Sequence, residues 1–111
     1  MYKPLTVLVL TSILSLTLYA GPMKAGMAKV VITPPTAIML AGYAARKSPA
    51  ESRYQDLYAK ALAIWDDRDR AVVIVTADIL GFTDELTAAV SEADKEKYGL
   101  QRDQIIFNSS H

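Results

Sequence analysis

Residues 71–111, AVVIVTADILGFTDELTAAVSEADKEKYGLQRDQIIFNSSH, hold two apolar runs on either side of a segment with helical spacing. The first run, Ala71–Ala77, is apolar at successive positions and rich in valine. That is the pattern of a strand covered on both faces, and so of an interior strand rather than an edge. Between the runs, Leu86, Ala89, Val90 and Ala93 recur at the three- and four-residue intervals of one helix face. Thr83 has the hydroxyl that an N-cap needs, Asp84 and Glu85 put negative charge in the first turn, and Gly99 supplies the stop. The second run, Gln104–Ser110, is again rich in isoleucine and ends on two serines. Strand, helix and strand in that order predict a right-handed β-α-β unit with its two strands parallel.

Working toward the amino terminus, Leu57–Trp65 and the run at Ala71–Ala77 are separated by the charged stretch DDRDR, which predicts an antiparallel hairpin. Ala25–Thr33 alternates well enough for a further strand, and Pro34 and Pro35 end it because neither has an N–H to give to a ladder. Residues 37–56 contain Gly42, Pro49 and many small polar side chains. They predict a long loop, with a short extended piece at Ile38–Ala41, and long loops in compact domains are often functional. Tyr43, Tyr54 and Tyr58 fit half-buried packing with a wet hydroxyl. The fold class expected is therefore α/β (α+β): a mixed sheet with an antiparallel hairpin and one β-α-β unit.

The first twenty residues, MYKPLTVLVLTSILSLTLYA, are of another kind. A start with Lys3, an apolar stretch over residues 5–19 and small residues at Ala20 and Gly21 are the layout of a secretory signal peptide, with cleavage after Ala20 or as late as Ala25. The apolar stretch is shorter than the roughly 20 residues of a spanning helix. A secreted or periplasmic protein is expected, with a membrane anchor as the alternative. No cysteine is present, so neither a disulfide nor a lipid on an amino-terminal Cys is available. The 111 residues bound the chain to one domain at most, and 12 basic and 12 acidic side chains are interleaved along it. No stripe of Lys and Arg could neutralise a row of phosphates, so nucleic acid is not an expected partner.

In a parallel β-α-β unit the carboxyl ends of both strands emerge on one edge, where ligands bind in open α/β sheets. Asp78 follows one strand and His111, the single histidine, follows the other. Neighbouring strands lie about 4.8 Å apart, so one pocket can hold both residues. An imidazole there can ligate a metal, and a carboxylate can orient the ligating ring. Two simpler roles stay open: His111 as a residue with no site, and Asp78 as an acceptor for loop amides.

The segment from Ala25 onward resembles the amino-terminal part of the neutral, non-lysosomal ceramidase family. GMAKVVITPP is similar to the family's opening Gly-x-x-x-x-Asp-Ile-Thr strand, with Val31 where the family has Asp. LAGYA resembles its Gly-Tyr turn, LYAKAL its Leu-Tyr-Ala-Arg-Ala strand, and TADILG its Asp-Leu/Ile-Gly loop. Order and spacing agree as well, through the helix ending KYG and the strand ending Ser-Ser-His.

What the resemblance implies is specific. His111 falls on the first histidine of the family's His-Thr-His-Ser-Gly segment, which binds a catalytic zinc. The chain would then be the amino-terminal fragment of a larger catalytic domain, with the other zinc ligands and catalytic groups beyond residue 111. Its activity would be zinc-dependent hydrolysis of the N-acyl bond of ceramide to a sphingoid base and a fatty acid, and the fragment alone would be inactive. The partner would be a ceramide-like lipid, met at a membrane surface. Gly42, in the Gly-Tyr turn, would let backbone approach the substrate, and Asp78 would orient the metal site. Two alternatives remain from the residues themselves: another exported metal-dependent hydrolase of the same fold, and a non-catalytic envelope binding domain.

Overall fold

The computed structural model describes residues 21–111. The expected signal peptide, residues 1–20, lies outside the described residues. Four strands form one sheet in the order β1-β2-β3-β4: β1 Lys24–Val31, β2 Tyr58–Trp65, β3 Ala71–Ala77 and β4 Ile105–Ser109. One helix, α1 (Asp84–Tyr98), and a short 3₁₀ turn at Arg102–Gln104 connect β3 to β4. Pairing is antiparallel from β1 to β2 and from β2 to β3, and parallel from β3 to β4. The mixed sheet, the hairpin and the β-α-β unit are as the sequence predicts.

The hairpin closes where Trp65 faces Ala71. Asp66 makes the turn: its Oδ1 accepts from the N–H groups of Arg68 and Arg70, both at 2.9 Å, and its Oδ2 accepts from the Arg70 guanidinium at 2.7 Å. Asp69 takes a left-handed φ of 56°, which a short polar residue tolerates better than most. Its carboxylate meets the Lys24 ammonium at 2.9 Å, tying β1 to the turn.

The helix ends behave as their residues dictate. Thr83 Oγ1 accepts from the Leu86 N–H at 3.2 Å. Gly99 adopts φ 70° and donates its N–H to the Lys95 carbonyl at 3.0 Å. Ahead of the helix, Phe82 stacks tilted on Phe107 of β4 with ring centroids 5.0 Å apart.

One expectation, the covering of β3 on both faces, needs correction, and the helix face and the loop at Ile38–Ala41 add detail that the sequence did not specify. The helix does not turn the face of Leu86, Ala89, Val90 and Ala93 away from solvent. Its less exposed stripe is Thr87, Val90, Ser91 and Asp94, with Ser91 buried and its hydroxyl donated to the Thr87 carbonyl at 2.6 Å. That is one residue on, about 100° around the axis. Periodicity marks which stripe is apolar.

β3 is an interior strand but is covered on one face only. Ala71, Val73 and Ala77 are buried together with Ile105, whereas Val72 on the other face is 45% exposed. On that open face Met27, Leu62, Ile74 and Ile106 stand in register across all four strands. A single helix can lie against only one side of a sheet. Ile38–Ala41 belongs to no strand; the Ile38 carbonyl instead accepts from Ala50 across the loop at 3.0 Å. Among the tyrosines, Tyr58 is half-buried with the Lys29 ammonium 4.1 Å from its ring centroid, while Tyr43 and Tyr54 are exposed.

Candidate functional site

The sheet does not stop where its strands do. The Asp78 N–H donates to the Tyr58 carbonyl at 2.9 Å, and the N–H groups of Ser110 and His111 donate to the carbonyls of Ala77 and Ile79, both at 3.0 Å. These bonds fix the backbone leaving β3 and β4 side by side. A one-residue slip of the parallel pair would turn every β4 side chain to the opposite face. With the register at Val73 opposite Ile105, the chain delivers Asp78 and His111 to the same edge.

There, Gly42, Leu57, Asp78, Leu80, Ser110 and His111 line a cavity of about 510 Å³. The three residues singled out in the sequence, Gly42, Asp78 and His111, thus share one cavity although they come from three separate segments. Gly42 has φ 91°, a conformation that side-chain-bearing residues rarely adopt, and a Cβ placed on it would sit 3.3 Å from Leu80 Cδ1. The wall of the cavity can approach Leu80 this closely because residue 42 has no side chain. His111 also has a left-handed φ, 67°.

Asp78 is engaged on both carboxylate oxygens. Oδ2 accepts from the Tyr58 N–H at 2.9 Å, and Oδ1 lies at a long 3.4 Å from the Ser110 hydroxyl. The amide-acceptor role is therefore real. The orienting role differs from the direct contact that adjacent strands suggest: Asp78 reaches toward His111 through Ser110 and not by a bond to the ring. Among the described residues nothing hydrogen-bonds the His111 imidazole, which leaves it free to bind a ligand in the cavity.

Ser110 and Leu57 are the parts of the site that the sequence reading passed over. The serine had a usable signal, since it adjoins the histidine, but its pairing with Asp78 depends on strand register. Leu57 looked like the first residue of a strand, and only the fold turns it to the cavity.

As a metal centre the described residues are compatible in kind and short in number. An imidazole nitrogen and a carboxylate suit zinc, but a catalytic zinc takes three protein ligands. Among the described residues no group of three or more His, Cys, Asp or Glu is placed to hold an ion. Further ligands would have to come from elsewhere. Among the same residues no helix is long and apolar enough to cross a membrane. No family model matches the chain, and no solved structure matches it.

Proposed function

We propose that this chain is the amino-terminal part of an exported, zinc-dependent amidase resembling the neutral ceramidases, hydrolysing the N-acyl bond of a ceramide-like lipid. The observation that supports this reading most is the meeting of Gly42, Asp78 and His111 around one cavity at the carboxyl ends of β3 and β4. Sequence resemblance assigns those positions on motifs alone, and motif matches do not require that three distant segments converge.

In the proposed enzyme His111 offers an imidazole nitrogen as one metal ligand. Zinc bound there would polarise the amide carbonyl and bring the pKa of a bound water to about 7. Asp78, held by the Tyr58 amide, keeps Ser110 and the end of β4 in place, and so positions the residue that follows. Gly42 keeps the part of the lining beside Leu80 free of a side chain, where the substrate's polar head would pass.

The decisive experiment uses the full-length protein from the exported fraction, with its amino terminus read as Gly21 or Gly26. His111→Ala is expected to lose both zinc and ceramide hydrolysis while its circular dichroism stays native, because the side chain is exposed and outside the apolar core. Stoichiometric zinc with near-normal turnover in that variant would overturn the assignment.

A further inference from the structure

The open face of the sheet carries a charged row beside its apolar one. Next to Met27, Leu62, Ile74 and Ile106, the residues in register are Lys29, Lys60, Thr76 and Asn108. Lys29 and Lys60 stand directly opposite each other, and like charges so placed destabilise a strand pair. Neither has a carboxylate partner among the described residues. At the hairpin end of the same face, Ile64 and Val72 line a cavity of about 730 Å³ together with Asp66, Arg70 and Asp103. Asp66 is paired with Arg70, whereas Asp103 has no ion pair among the described residues. The face is thus cationic at one end, apolar in the middle and anionic at the other.

Helix α1 presents the complement. Glu85, Ala89, Ala93 and Lys97 follow at four-residue intervals and form one ridge along the helix, with Leu86 beside it. All five are exposed. The ridge starts acidic and ends basic, and the two charges are about 18 Å apart at 1.5 Å of rise per residue. On the sheet, the run from Lys60 to the hairpin turn at Asp66 spans about 20 Å at 3.3 Å per residue. With Glu85 over the two lysines, the alanines fall over the apolar row and Lys97 reaches the Asp103 end.

We infer that α1 of one copy docks on the open sheet face of a second copy, with Glu85 meeting Lys29 and Lys60, and Lys97 meeting Asp103. Phe82, which leads into the helix, stacks on Phe107 on the other side of the sheet, so α1 does not reach the open face of its own chain. The contact is therefore head to tail, and its repetition gives a ring or a filament. It also supplies the helix layer that a sheet covered on one side lacks.

The test is the mass of the full-length protein, measured by sedimentation velocity over a concentration series, with circular dichroism as the folding control. Native protein is expected to form species larger than the monomer as concentration rises. Lys60→Glu and Glu85→Lys should each weaken assembly at least about tenfold, since each sets like charges against one another. Mixed in equal amounts, the two variants should assemble again, because the reversed helix of one then meets the reversed sheet of the other. A misfolded variant does not give that rescue.

A protein that stays monomeric at every concentration overturns the inference and assigns the open face to another segment or partner. Assembly that both variants leave unchanged overturns it too, as does a mixture that fails to reassemble. Neither zinc nor turnover enters the measurement, so its failure and the failure of the His111 assignment are separate outcomes.

Discussion

At the hairpin end of the sheet, Asp66 accepts from two backbone amides and a guanidinium, all within 2.9 Å. At the opposite end, Asp78 accepts from one amide at 2.9 Å and one hydroxyl at 3.4 Å. Both are aspartates at the end of an apolar strand. The first is committed to building a turn. The second is tied down on one oxygen and only loosely engaged on the other, beside an imidazole with no partner among the described residues. The difference teaches that a carboxylate's role follows from how many donors the local backbone presents to it. A tight two-strand turn presents several, and the carboxyl ends of this parallel pair present fewer.

The largest effect that tests this contrast falls on Asp78. Asp78→Asn should lower hydrolysis and zinc affinity of the full-length protein by about 10- to 100-fold, the usual cost of losing a group that orients a ligand. Unchanged activity would make Asp78 a turn builder like Asp66.

Gly42→Ala comes next. At φ 91° with Leu80 Cδ1 only 3.3 Å from the new Cβ, it should destabilise the protein by about 1–3 kcal/mol, measured by denaturant unfolding. A neutral result would mean that the turn relaxes and that the wall beside Leu80 need not be so close.

The smallest effect belongs to Asp66. The Arg70 backbone N–H is the main group holding its carboxyl below its ordinary value of 3.8, helped by the Arg70 side chain and the Arg68 N–H and opposed in part by desolvation. A folded value below the unfolded one stabilises above the ordinary value and is lost as pH falls through the lowered one. Asp66→Asn should therefore lower Tm slightly at neutral pH, and the gap to the native protein should close on acidification. A gap that does not change with pH would show that the acceptor geometry, and not the charge, makes the turn.

Much of the fold was legible because its signals are local. Thr83 and Gly99 mark the helix ends through bonds to their own neighbours, and DDRDR marks the hairpin through the turn that Asp66 organises. The candidate site was partly legible. Asp78 and His111 were placed on one edge by the logic of a parallel pair. Leu57 and Ser110 were not seen, since each enters the cavity only through a neighbour distant in sequence. Which stripe of the helix is turned from solvent was not legible, because an apolar stripe records what can be buried and not how the helix is rotated against the sheet.

The sequence by itself determined the order and type of the elements, the caps and the candidate residues, since these depend on propensities and short-range bonds. Tertiary structure alone decided that Gly42 and its loop close over the carboxyl ends of β3 and β4, that Asp78 bonds to Tyr58 instead of the imidazole, and that one face of the sheet stays open. Each of these depends on strand register and on contacts between segments tens of residues apart, whose geometry no local pattern encodes.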